Sequence, residues 1–437
     1  MFSSSRSVVA LSKDRFAGPM ISKHAARIAC LLVVSIFMTG SARAQQANAA
    51  DSDKQMIQLL VRRIDQLEAR VAQLESAKQP AAASEPAAAP QVAPAATEPE
   101  STEEHAEPVR MDMTRTLLNI RGFGDVTFHG DNAKPDTTSF TLGQLDLFVT
   151  SDVSEKFRFL SEIVFEAGED NIFSVDLERY LLQYAPNDYF NVSVGRYHTA
   201  IGYYNTAYHH STWLQTATGR PFLFQFEDDD GILPIHNVGV SASGLIPSGR
   251  LGLHYVAELG NGRASSSRIA EPVQNTVDEN NGKSFNLALF VRPAAVRGLQ
   301  AGLSVYHDGL RPAESPGISE TIFAAHAVIV RPNFEWLNEA LLIRHAPDGT
   351  SRVFDTPGFY TQLSKRFGSF RPYFRYQYVN ASDAEPVFPT VGLRHGPSVG
   401  LRYDPSESVA LKLQYDYTAL RPQPSTSSLA AQLGFTF

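Results

Sequence analysis

Charged residues in this chain recur on one parity of short alternating segments. In 156–166, Arg158, Glu162 and Glu166 stand opposite Phe157, Phe159, Ile163 and Phe165. In 249–259, His254 and Glu258 oppose Leu251, Leu253, Tyr255, Ala257 and Leu259. In 370–378, Arg371, Arg375 and Gln377 oppose Phe370, Phe374, Tyr376 and Tyr378. In 408–418, Lys412, Gln414 and Asp416 oppose Val409, Leu411, Leu413, Tyr415 and Tyr417. Successive side chains of a strand point to opposite faces, so each segment has one apolar and one charged face. Charge on a lipid-facing side would cost about 2–4 kcal/mol per residue near a bilayer midplane. The charged parity is therefore expected to line an aqueous lumen, and Arg121, Asp125, Asp146 and Asp176 extend the set. Taken singly, each of these charges does no more than solvate the wall. Together they can steer ions and small polar solutes.

The second group of chemical residues lies in one long segment, 199–235, of 37 residues. It holds Tyr203, Tyr204, Tyr208, Trp213, three Phe residues, Arg220 and the acidic run Glu227-Asp228-Asp229-Asp230. Folded inward, the acidic run would set a negative field at the narrowest point of a pore and favour cations or repel polyanions. Left outside, it would be a solvated tip that binds Ca²⁺ weakly at most. His209, His210 and His236 beside those carboxylates could be read as a metal or catalytic cluster. No HExxH, Ser-His-Asp spacing or Gly-rich phosphate loop frames them, so no metal, cofactor or catalytic residue is assigned.

These residues need a scaffold, and the rest of the chain describes one. From about residue 117 alternation dominates, with sixteen candidate strands: 118–128, 139–150, 156–167, 173–184, 188–198, 236–245, 249–259, 284–293, 299–308, 320–331, 334–345, 355–366, 370–380, 397–403, 408–418 and 428–437. Their connections alternate long and short. The short ones carry turn residues, such as Pro186-Asn187-Asp188, Pro247-Ser248, Arg331-Pro332-Asn333 and Asp404-Pro405-Ser406. Short turns at one end and longer loops at the other mark outer-membrane barrels. The final strand reads S-L-A-A-Q-L-G-F-T-F. It places Leu429, Ala431, Leu433, Phe435 and Phe437 on the lipid side. A terminal Phe of this kind resembles the signal read by the barrel assembly machinery. The predicted fold class is all-β: a transmembrane antiparallel barrel of about sixteen strands over 115–437, preceded by a short coiled-coil helix.

The N-terminal region divides in three. Residues 1–44 read as a signal peptide, with Lys23 and Arg27 before the apolar run Ile28 to Met38 and a small-x-small site at Ala42-Arg43-Ala44. In 51–78, Ile57, Leu60, Ile64, Leu67, Val71 and Leu74 keep a 3,4,3,4,3 spacing, which predicts oligomerisation through a coiled coil. The β-branched a and Leu d positions suit two strands, and Leu59 and Val61 widen the seam enough for three. Residues 79–112 form an Ala/Pro-rich linker.

Composition excludes several alternatives. The 437-residue chain is 43% hydrophobic with a net charge of -8, which argues against a nucleic-acid partner. Its mean hydropathy is -0.18. No stretch after the leader approaches the roughly 18 apolar residues of a membrane helix, whereas a barrel keeps half of each strand polar. The single cysteine, Cys30, falls in the leader, so the mature chain has no disulfide or thiolate chemistry.

The segment Gly195-Arg196-Tyr197-His198-Thr199-Ala200-Ile201-Gly202 resembles the G-R-aromatic-x-x-P-x-G pattern that ends the fifth strand in the phosphate-selective porin O/P family. The stretch Gly400-Leu401-Arg402-Tyr403-Asp404 through Lys412-Leu413-Gln414-Tyr415 is similar to that family's penultimate hairpin. The resemblance spans roughly 115–437. It implies a sixteen-stranded trimeric porin in the bacterial outer membrane that passes small solutes passively, with the third external loop folded inward. An N-terminal coiled coil is also found in related trimeric porins. The phosphate ladder is not carried over. Ala200 replaces the usual proline, and the inward basic residues are mixed with acidic ones. The alternative reading is structural: a barrel that anchors the outer membrane through its coiled coil.

Overall fold

The computed structural model describes residues 118–133, 138–168, 172–208, 211–226, 231–263, 276–278, 280–312 and 315–437. The leader, the heptad positions Ile57 to Leu74 and the linker lie outside them, as do His209, His210, Glu227, Asp228, Asp229 and Asp230.

Sixteen strands are present: β1 (Leu118–Asp131), β2 (Ser139–Asp152), β3 (Phe157–Ala167), β4 (Phe173–Asn187), β5 (Phe190–His198), β6 (His236–Ile246), β7 (Leu253–Gly260) and β8 (Ser284–Val291), followed by β9 (Leu299–Leu310), β10 (Ile318–Arg331), β11 (Phe334–Pro347), β12 (Phe354–Lys365), β13 (Phe370–Asn380), β14 (Leu393–Ser406), β15 (Val409–Arg421) and β16 (Thr426–Thr436). They form one closed barrel in which every strand pairs antiparallel with its sequence neighbours and β1 closes on β16. Closure leaves no unpaired edge, which is the condition for a sheet to sit in lipid. Turns after even-numbered strands gather at one end, and the longer connections at the other.

Alternation places side chains as the period of two requires. On β15 and β16, Leu411, Leu413, Tyr415, Leu429 and Leu433 are exposed on the outer face, while Lys412, Gln414, Ala430 and Gln432 are buried. Register shifts interrupt the rule at four places. On β4, Arg179 pairs with Glu162 and Leu177 with Ile163, so Glu178 is an extra residue. The bulge switches the exposed parity from Phe173, Val175 and Leu177 to Tyr180, Leu182 and Tyr184. A second register shift lies between Gly124 and Val126, where β1 meets β2.

Most strands start or end within three residues of the expected bounds, and two differ more. β7 starts four residues late, because Gly249–Leu251 form a 3-10 turn that ends at Gly252 with φ 59°. β14 runs Leu393–Ser406 and not 397–403. It carries Gly396 and Gly400, and a Cβ at Gly400 would meet the ring of Tyr373. The strand is sparse in bulky residues because its neighbour's ring occupies that space.

The core is inside the barrel. Ile201, Tyr204, Leu223, Phe224, Ile232 and Leu233 of the segment between β5 and β6 pack with Ile322, Leu337, Leu341, Ile343, Tyr360 and Val379 of β10 to β13. Burying each such side chain contributes about 1.5–3 kcal/mol. This is why Ile318, Ile322 and Val328 of β10 and Leu337, Leu341 and Ile343 of β11 stand on the inner parity: there the inner face meets protein, not water.

Candidate functional site

The described residues of the 199–235 segment enter from His198 and cross the interior along β7 to β16. At its start, Glu258 on β7 accepts the N–H of Ala200, at 3.0 Å to Oε2, and the amide of Asn286 at 2.8 Å. Glu339 on β11 then accepts the N–H of Tyr203 at 2.6 Å, that of Tyr204 at 3.0 Å and the hydroxyl of Tyr360 at 2.6 Å. Tyr204 and Ala207 bound a single helical turn. Glu335, two inward positions away with Leu337 between, accepts the hydroxyls of Tyr208 at 2.8 Å and Thr216 at 3.3 Å.

Farther around the wall the polarity of the anchors inverts. Arg402 on β14 donates to the carbonyls of Trp213 at 2.7 Å and Gln215 at 2.9 Å. Lys412 on β15 donates to Thr212 at 2.5 Å and Ala217 at 2.9 Å. Arg375 on β13 donates to Gly219 at 2.8 Å. Gln414 accepts the N–H of Thr218 at 3.1 Å, and Gln377 that of Phe222 at 2.9 Å. Trp213 reaches β1, 6.0 Å from Phe123, and Arg121 lies 5.4 Å over its ring. Carboxylates thus hold backbone N–H groups and cations hold carbonyls. A buried backbone that forms no ladder needs such partners.

Burial pushes the Tyr203 and Tyr204 phenols up to about 12 and raises Tyr208 well above the usual range. All three therefore stay neutral near pH 7, and Tyr208 can donate to Glu335. Arg220 is tied within the segment itself. It donates to the carbonyls of Phe224 and, at 3.3 Å, Tyr208, and lies 4.1 Å over the Phe226 ring.

The other sequence-selected charges fall in several places. On β1 to β4, Asp125 accepts the N–H of Gln144 at 3.2 Å and Glu162 pairs with Arg179 at 2.6 Å. The Asp146 carboxylate is buried and accepts no hydrogen bond among the described residues. Glu166 accepts the amide of Gln144. Arg158 is exposed and 3.4 Å from Asp152, at the short-turn end. Arg371 donates to the Pro332 carbonyl at 3.0 Å, and Asp416 accepts both contacts of the Gln414 amide at 2.9 Å. His254 stacks on Phe290 at 5.1 Å. Glu335, Glu339 and Arg402 were not selected from sequence. On β11 apolar Leu337 and Leu341 share the inner parity with Glu335 and Glu339, and that mixing is the signal that could have found the two carboxylates. Among the described residues no group of His, Cys, Asp and Glu is arranged to hold a metal.

No family model and no curated protein matches the sequence. Solved structures do. An anion-selective porin from Comamonas acidovorans aligns over 74% of this chain and 100% of its own, with 14% identity and a TM-score of 0.53. OmpF of Salmonella typhi, solved with daunomycin, aligns over 73% of this chain and 97% of its own, with 10% identity and a TM-score of 0.53. At these identities the likeness is one of fold: this chain has the sixteen-stranded barrel of bacterial outer-membrane porins.

Proposed function

We propose that the barrel is an outer-membrane porin: an aqueous channel through which small hydrophilic solutes or ions diffuse, narrowed by the 199–235 segment. One observation carries the reading. A long connection is held inside a closed barrel by charged and polar side chains from β7, β11, β13, β14 and β15, from Glu258 to Lys412. Its apolar residues are spent on the inner wall. The apolar outer face of β15 and β16 supports a lipid setting. In this reading the protein has no catalytic role and needs no cofactor. The acidic residues Glu227 to Asp230 act at the constriction, and the inward charges of β1 to β4 shape the field beside it. Ile57 to Leu74 assemble the chains, as trimers, on the periplasmic side. The last strand, ending in Phe437, is what the assembly machinery recognises.

The test is conductance of the purified mature protein in planar bilayers under a salt gradient. Stepwise openings, in threes for a trimer, are expected. Removal of 51–78 should weaken the grouping of steps without silencing them. Silent insertions would overturn the channel and favour an anchoring role.

A further inference from the structure

A cavity of about 1300 Å³ lies beneath the start of the 199–235 segment, between it and the short-turn end of β5 to β10. Gly202, Tyr203 and Thr206 form its roof, and His254, Phe290, Arg292, Gln300, Ser304 and His326 its wall. Arg292 is the central charge. It is exposed and lines the cavity together with His254, His326 and Tyr203. Its Nε donates to Gln300 Oε1 at 2.9 Å, which fixes the guanidinium plane. Gln300 is itself held by His326 at 3.2 Å. Arg292 has no carboxylate partner among the described residues. Among the described residues the one lining carboxylate is Asp188, against Arg292 and Arg297.

We propose that this cavity binds small organic anions, namely a carboxylate on a flat apolar body. The inference deepens the channel reading by naming a solute class, and it rests on that reading. Nη1 and Nη2 of Arg292 offer the paired donors that a carboxylate takes bidentately. Aromatic surface surrounds them. Phe290 lies 5.0 Å from the Arg292 guanidinium and is stacked with His254 at an interplanar angle of 8°. Tyr203 lies 6.0 Å from His326 on the opposite side. The volume exceeds what a small ligand needs, so a solute binds with part of its water and can leave. The basic anchors Arg375, Arg402 and Lys412 are occupied by loop carbonyls; of the two arginines lining the cavity, Arg292 is the one whose guanidinium is fixed, by Gln300 and over Phe290.

The probe is benzoate, added to the short-turn side of single channels of the full-length protein. Saturable reduction of current is expected, weakened at least tenfold in Arg292→Gln. Thr206→Trp, which fills the cavity from its exposed roof and keeps Arg292, should abolish the effect. Benzyl alcohol should do nothing, and inorganic phosphate should act at least tenfold more weakly. Block that is unchanged in Arg292→Gln would overturn the assignment of the charge. Equal block by benzyl alcohol or by phosphate would overturn the ligand class. If the bilayer stays silent the channel reading fails. Equilibrium dialysis of benzoate against detergent-solubilised protein then judges the site alone, with the same variants and the same outcomes.

Discussion

Phe437 closes the barrel on Gly122: the N–H of each donates to the carbonyl of the other, both at 2.9 Å. The phenyl ring lies where a side chain at 122 would be, and the ring of Phe435 lies likewise over Gly124. Two outward glycines on β1 thus receive the two aromatics of β16. This cross-strand pairing shields backbone that glycine leaves bare. Gly122→Leu is expected to expel the ring and destabilise the closing seam by about 1–3 kcal/mol. The folded fraction after refolding into detergent, read from heat-modifiable electrophoretic mobility, checks it. A Gly122→Leu variant that refolds as well as the parent would refute the role of the seam.

Leu223 and Phe224 are buried between the inner segment and β12 and β13. Leu223→Ala should cost about 2–5 kcal/mol in the thermal or urea transition of the packed interior. The outer wall does not depend on it, so the strand circular dichroism should remain. The single-channel current should become noisier. A quiet current with an unchanged transition would mean that the segment is held by its polar anchors alone.

Glu339 accepts three hydrogen bonds from two distant parts of the chain, Tyr203 and Tyr204 on one side and Tyr360 on the other. Hydrogen bonds to a charged group are worth about 1.5–3 kcal/mol each, so Glu339→Gln should loosen the start of the segment. Faster cleavage within 199–208 by added protease is the expected outcome, and conductance should rise. Combining it with Lys412→Met, which removes the anchor on the other flank, should give a larger effect than either change alone.

The tyrosines predict an alkaline limit. An unperturbed phenol titrates near 10, whereas burial holds Tyr204 up to about 12. The folded state thus keeps its proton longer than the unfolded chain does. The stability this contributes is fully present below about pH 10 and is lost as pH rises toward 12. Phenolate absorbance should show Tyr204 titrating late, and Tyr204→Phe should flatten the loss of stability between those limits. Normal titration of every tyrosine would contradict the packing of the segment.

Strand number, membrane-facing parity and the direction of the terminal strand were legible in sequence, because a period of two is a local property. A lipid-facing strand cannot hide a charge, and a hairpin turn announces itself in Gly, Pro, Asn and Asp. The bulge at Glu178 was not legible. Nothing local distinguishes Leu177-Glu178-Arg179 from an unbroken strand until Glu162 and Ile163 on β3 set the register. The length of β14 was missed for a similar reason: Leu393 to Gly396 belong to the strand because they pair with Asn380 to Gln377 on β13, which nothing local announces.

The larger decision belonged to the tertiary structure. From sequence, Arg375, Lys412 and Glu258 are inward charges that face water. In the fold they hold the carbonyls of Gly219, Thr212 and Ala217 and the N–H of Ala200. Whether an inward charge meets solvent or backbone depends on where a 37-residue connection lies, and that follows from contacts between residues about 60 to 200 positions apart. The chain's alternation determined that a barrel exists with a polar inside. Only the folded interior decided which of those polar groups bind the chain's own backbone and which, like Arg292, remain turned toward a cavity.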